Sequence, residues 1–269
     1  MAVVVGAIVI AMLGVFVLAV DLAAHDTWLM AGTGTARVGQ VVRLSLTSGD
    51  AFPNDDFAIA TTRVVRAVAR LRDATQALPR PSLTPTALHF DWTPTRAGVG
   101  TLGVELAPKT LTLAPDKIEE YLGEIDATPS TRAAWKAVEG KRKWVESYAK
   151  HAVTYVRVGD ADDSTWRRPL GFSLEIVPER DPTRIRPGDT LIVRVLRRGA
   201  PMRAFAVGAM REGATTARFV RTDSLGRARI VFEASGRWLL NGTDLRRSSR
   251  PDFVWESDFV TTTLYVAPR

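Results

Sequence analysis

The 269-residue chain has no cysteine. Disulfides and thiolate-bound metals are therefore excluded, and the fold must rest on its hydrophobic cores. Histidine is nearly as scarce, with His25, His89 and His151 the only three. Any imidazole-based site has few positions to draw on. No Gly-x-Ser-x-Gly elbow, Walker sequence or His-Glu-x-x-His pattern occurs, which leaves the common hydrolase, nucleotide and metalloprotease signatures without support. Glu119, Glu120 and Glu124 fall on a helix surface, with nothing to mark a paired-carboxylate glycosidase. A second long apolar run is also missing, so the chain is not a polytopic membrane protein.

The first such run is at the N-terminus. Ala2 to Val20 carries no charge, Asp21 ends the run, and Ala23-Ala24 supplies the small residues a signal peptidase cuts after. The Lys or Arg that usually precedes such a run is absent, and Leu22 stands three before the cut. Residues 1–24 are expected to be a signal peptide, with an uncleaved inner-membrane anchor as the alternative. Either places the rest of the chain in the periplasm. Cleavage after Ala24 makes His25 the first mature residue. Its α-amine and imidazole then form a chelating pair, and imidazole suits Ni, Cu and Zn.

Beyond His25 the sequence reads as mainly β. Val42-Arg-Leu44-Ser-Leu46 alternates with period two, as do Arg63–Val68, Ala87–Phe90 and Gly98–Leu106. Between them Ser48-Gly-Asp50-Ala-Phe-Pro-Asn-Asp-Asp56 is a turn-rich loop with three carboxylates but no EF-hand spacing. Pro115 suits a helix start, and Ile118, Tyr121, Leu122 and Ile125 follow helical spacing. A second helix is expected after Pro129, running to about Lys150 and carrying Trp144, Tyr148 and His151 on one face. Past the polar stretch Gly159–Ser164, seven short strands separated by turns predict an immunoglobulin-like sandwich. Arg37-Val-Gly39-Gln and Arg186-Pro-Gly188-Asp each precede an alternating strand, a faint internal echo.

The predicted architecture is thus two immunoglobulin-like β-sandwich domains. The first covers 25–163, with a helical insertion at about 115–151, and the second covers 164–269. The net charge of +7 comes mostly from arginines scattered through alternating strands, which reads as solvated faces and not as a nucleic-acid surface. In Trp255-Glu256-Ser-Asp258 two carboxylates share one strand face. They could orient an imidazole or keep a strand edge hydrated.

Several motifs resemble one family in order along the chain. They are His25-Asp-Thr-Trp-Leu, Ser48-Gly-Asp-Ala-Phe-Pro-Asn54, Glu119-Glu-Tyr-Leu122, Glu146-Ser-Tyr-Ala-Lys-His151, Pro169-Leu-Gly171, Arg186-Pro-Gly-Asp189 and Trp255-Glu-Ser-Asp258. The chain is similar to the exported domain-of-unknown-function 4198 family, grouped with nickel-uptake substrate-binding-like periplasmic proteins. The resemblance implies a role in nickel or cobalt handling and a membrane metal-uptake system as partner, and it points to His25, Asp26, His151, Trp255 and Glu256, with His25, Asp26, His151 and Glu256 as the metal-site residues. It also shows a departure. Relatives place a His shortly after the stretch matching Trp238-Leu-Leu240, where this chain reads Asn241-Gly-Thr-Asp244. Asp244 is the substitute ligand if the site persists.

The leading expectation is a non-enzymatic periplasmic protein that binds Ni, Co or Cu near its N-terminus. Two alternatives stand beside it: a copper oxygenase using a histidine brace, and a structural or adhesive protein without metal. The sequence assigns no role to His89.

Overall fold

The computed structural model describes residues 25–269, so the predicted signal segment 1–24 lies outside the described residues. Fourteen strands of four or more residues fall into two sets of seven. The first set is β1 (Asp26–Ala31), β2 (Val42–Gly49), β3 (Val64–Leu71), β4 (Ala74–Ala77), β5 (Leu88–Trp92), β6 (Gly98–Leu113) and β7 (Trp144–Val158). The second is β8 (Leu174–Pro178), β9 (Thr190–Arg197), β10 (Ala206–Arg211), β11 (Arg218–Arg221), β12 (Arg227–Val231), β13 (Gly236–Arg247) and β14 (Trp255–Val266).

The two sets pair in the same order. In each, the first, second and fifth strands form a small sheet, β1-β2-β5 and β8-β9-β12. The fourth, third, sixth and seventh pair in that order, β4-β3-β6-β7 and β11-β10-β13-β14. This partition is the immunoglobulin-like one, with the fourth strand moved to the third strand's sheet. The faint echo in sequence therefore corresponds to a repeated topology.

The halves then join edge to edge. β7 and β14 run parallel, from Glu146 opposite Trp255 to Thr154 opposite Thr263. One continuous sheet results, and a pseudo-two-fold axis along this seam turns one half's faces over relative to the other's. Accordingly, the two small sheets cover opposite faces. Ala152, Val156 and Val158 of β7 pack into the first core with Leu44, Leu46 and Phe90. Val153 and Tyr155, alternating with them, pack into the second core with Leu191, Val193 and Ile230. β7 is thus buried on both faces.

The helical passage is shorter than the spacing predicts. After a turn of 3-10 helix at Pro115–Lys117, α1 spans Ile118–Glu124 and α2 spans Pro129–Lys136. Thr128 caps α2 through its hydroxyl, which accepts from the Thr131 amide at 3.2 Å. The expected helix to Lys150 ends there, and residues 144–158 are strand. Trp144 and Tyr148 share a face either way, because a separation of four is even as well as helical; His151 is odd and points oppositely. Ile118, Tyr121 and Leu122 bury the predicted α1 face against Trp144 and Trp255. Glu146 locks that contact: fully buried, its carboxylate accepts from Tyr121 Oη and Trp144 Nε1, both at 2.9 Å, and from Ser257 Oγ.

The chain crosses between halves through residues 159–173, turning at Gly159 with φ 57°. This segment is pinned, not loose. Trp166, Leu170 and Phe172 enter the second core. Arg66 donates to the Leu170 carbonyl at 2.7 Å and Arg70 to that of Pro169 at 3.0 Å.

Candidate functional site

β1 lies against both seam strands, β7 and β14. On one face Lys150 of β7 donates to the His25 carbonyl at 2.6 Å, and Thr261 of β14 donates to the Thr27 carbonyl. His25 stands at the entry to β1, with its ring stacked on Phe57 at 5.6 Å between centroids. Its Nδ1 touches Asp50 Oδ1. That contact follows from strand pairing: Asp26 lies opposite Gly49, so the loop after β2 brings Asp50 to the ring. The His25 Nε2 atom has no hydrogen-bond partner among the described residues.

Asp26 lies half-buried beside it. Asn241 of β13 donates to its Oδ2 at 2.6 Å. Burial raises the Asp26 pKa, against the opposing pull of the Asn241 hydrogen bond and the Lys150 charge. Burial likewise lowers that of Lys150 from 10.5 to about 8, with Asp26 partly restoring it. Glu124 of α1 faces the same group. Its pKa is raised first by burial and then by the charges of Glu120, Asp50 and Asp26.

These side chains line a cleft of 770 Å³ at one end of the seam. Its floor is β1 and β13, its far wall the β10–β11 turn with Thr215, Thr216 and Phe219, and its roof α1. Arg221 of β11 donates to the carbonyl and carboxylate of Asp126, which fastens the end of that roof to the second half.

A sequence profile described as "Domain of unknown function (DUF4198)" matches residues 22–243. The chain belongs to this family. No curated protein matches it. Among solved structures it is similar to the D0-D1 domain of Intimin, at 10% identity and TM-score 0.21, over 88% of this chain and 97% of that one. It is also similar to trypsin-activated alpha-2-macroglobulin from Escherichia coli, at 14% identity and TM-score 0.23, over 92% of this chain and 16% of that one. A third is the mouse nectin-like molecule 4 ectodomain, at 10% identity and TM-score 0.21, over 90% of this chain and 64% of that one.

In this DUF4198 protein the residues implied as ligands do not all meet. His25 and Asp26 share the cleft, but His151 does not. It follows Lys150 on β7, and neighbouring strand residues project to opposite faces. Lys150 reaches His25, so His151 points the other way, stacked on Phe172 at 5.9 Å. There it sits in the pseudo-symmetric counterpart of the cleft, where Ser173, just before β8, meets both seam strands. His151 Nε2 lies 3.0 Å from Asp258 Oδ1 and 2.8 Å from Ser173 Oγ, and Ser173 Oγ lies 2.6 Å from the same carboxylate. Burial opposes the Asp258 charge, but His151, Ser173 and Arg246 outweigh it and hold the carboxyl well below its ordinary range. Of the two seam carboxylates flagged in sequence, Asp258 does orient an imidazole. Glu256 instead accepts from Ser248 Oγ at 3.0 Å and Arg250 Nε at 2.9 Å.

Asp244 lies outside the cleft. Arg197 and Arg246 each hold its Oδ2 at 3.2 Å, whereas Asn241 and Thr243 face the cleft. His89 sits on β5 with Nε2 3.5 Å from Thr84 Oγ1. Asp50, Asn241 and Glu124 are the cleft residues that sequence did not single out. Strand pairing recruits Asp50, and the seam brings in Asn241 from more than two hundred residues away.

Among the described residues no three His, Asp or Glu side chains converge as a metal group. The donors that do meet are the His25 imidazole and the Asp50 carboxylate, beside the place where the His25 backbone nitrogen enters β1. An amine freed there adds a second nitrogen. That nitrogen–oxygen set fits a borderline transition metal such as Ni, Co or Cu.

Proposed function

We propose that this protein is exported, matures to begin at His25, and binds a divalent transition metal in the cleft for delivery to a membrane uptake system. The observation that carries this reading is the contact of His25 Nδ1 with Asp50 at the mouth of a cleft holding Asp26 and Glu124. Imidazole and carboxylate are thereby placed beside the nitrogen that cleavage after Ala24 would free. The α-amine and Nδ1 of one histidine close a short chelate ring, and Asp50 supplies an oxygen. Metal binding requires these groups deprotonated, so affinity falls as pH drops through the imidazole range. Cu²⁺ binds such donors more tightly than Ni²⁺ whatever the natural cargo. A histidine brace would need a second imidazole here, and neither His89 nor His151 is in the cleft.

N-terminal sequencing of the exported protein checks the start at His25. Calorimetry with Ni²⁺ then compares four forms: the mature protein, one with an extra N-terminal Ala, Asp50→Ala and His151→Ala. The first two changes should each weaken binding by roughly tenfold or more, about 1.4 kcal/mol. His151→Ala should leave affinity unchanged. Equal binding by the mature and Ala-extended forms removes the chelate from the reading, and absence of binding in all forms removes the metal.

A further inference from the structure

We propose that the cargo of this cleft is a divalent metal already carried by a small amino-acid-type chelator, with a net positive charge on the complex, and not the bare ion. This rests on the metal reading above and specifies its substrate.

The first reason is size. A water occupies about 30 Å³ of liquid, so even a fully hydrated ion needs roughly 200 Å³. The cleft measures 770 Å³, within the span of about 300–1,000 Å³ typical of organic-ligand sites. The second is the donor count. His25 gives two nitrogens once mature and Asp50 one oxygen, while no third protein side chain joins them among the described residues. A tetrahedral or square-planar ion has a further position, and an octahedral ion several. Donors from the chelator fill them.

The third reason is the character of the walls. Leu113, Met210 and Phe219 offer apolar surface, and Thr215, Thr216 and Thr243 offer hydroxyls. An aquo ion makes no use of the apolar part. A chelator with a short carbon body and a carboxylate or amine uses both. The fourth is charge. Asp26, Asp50, Glu120 and Glu124 line the cleft against Lys117, with the Lys150 ammonium behind Asp26. The excess is negative. A divalent ion with one monoanionic amino acid keeps a positive charge and is attracted. A complex with a polycarboxylate such as citrate is anionic and repelled.

The test is calorimetry on the mature protein with Ni²⁺ alone, Ni²⁺ with one equivalent of L-histidine, and Ni²⁺ with one equivalent of citrate. If the cleft takes only bare ion, any chelator competes and weakens apparent binding. The proposal requires the opposite for histidine, a gain of roughly tenfold over the ion alone, and weaker binding with citrate. Gly123→Trp adds a second arm. Gly123 lies on α1 facing the cleft, and a Cβ there meets no atom within 4 Å. The indole fills cleft space and leaves His25 and Asp50 untouched. It should cancel the histidine gain while Ni²⁺ alone binds as before. A loss of affinity on adding histidine to the wild type overturns the proposal and leaves the metal reading standing. So does a histidine gain that survives Gly123→Trp, or citrate performing as well as histidine. No binding of nickel in any form overturns both.

Discussion

Lys150 is a buried ammonium that the fold keeps at one point. It is 3% exposed, its Nζ is 2.6 Å from the His25 carbonyl, and the rings of Tyr148 and Phe259 each lie 5.6 Å away. Burial brings its pKa from 10.5 to about 8. Between those values the unfolded chain binds more protons than the folded one, so stability rises with pH across that window. Below pH 8 the lysine is charged in both states, and its burial lowers stability by on the order of 3 kcal/mol at 1.36 kcal/mol per pH unit. Urea unfolding of the wild type should therefore shift to higher midpoints from pH 8 to pH 10. In Lys150→Met that rise should shrink or vanish. The two proteins tracing the same slope would show that Lys150 titrates normally. The same substitution releases the His25 carbonyl, so it also tests how far the placement of His25 depends on one side chain from the seam.

At the scale of elements, β7 carries the sharpest difference between sequence and structure. A strand with one wet face shows its period plainly, as β5 does with Leu88, Phe90 and Trp92 buried in alternation. β7 has no wet face. Its Glu146, Lys150, His151 and Thr154 are polar yet buried, each answered by a partner far along the chain. The period-two signal was erased by residues whose partners the sequence does not reveal, and an accidental i, i+4 pair of aromatics read as helix. The second set of seven strands was legible because its strands are short and separated by turn residues. The cleft was legible only in part. His25 announced itself through the cleavage pattern, and Asp26 through adjacency. Asp50 read as one carboxylate of an ordinary loop, and Asn241 as a departure from relatives. Both became site residues through pairing, which no local pattern encodes. Hydrogen exchange separates the two readings of this region. Amides of 144–158 should be among the slowest in the protein, and those of 129–143, in a short exposed helix and turn, should exchange orders of magnitude faster. Uniform fast exchange across 129–158 would mean that the seam strand is not held as described.

At the scale of the molecule, the two halves have their own small sheets but share the large one. The second core draws Val68, Val99, Val153 and Tyr155 from the first half. The crossing segment 159–173 is buried at Trp166, Leu170 and Phe172. Its polar beginning, Gly159–Ser164, separates the two strand series in sequence, yet Asp163 there accepts from the Val99 amide at 2.9 Å and the Thr165 amide at 2.8 Å. Thermal unfolding should accordingly be a single transition, with calorimetric and van't Hoff enthalpies in agreement. Two resolved transitions, or a stable proteolytic fragment beginning near residue 164, would show that the halves fold separately.

The strand at the middle of the large sheet, β14, comes after every other strand in chain order. A chain emerging N-terminus first therefore completes six of the second half's seven strands while the outer edge of β7 still shows an unpaired row of amides and carbonyls. Such an edge is a template for any strand of matching sequence. Throughout that interval the β14 of another copy fits as well as the chain's own, because the register from Glu146 to Thr154 is the same for both. Exchange of this one strand would give a closed two-fold dimer that keeps the native strand pairings. The arrangement that welds the two halves together thus also makes synthesis a race between self-closure and partnership, decided by concentration.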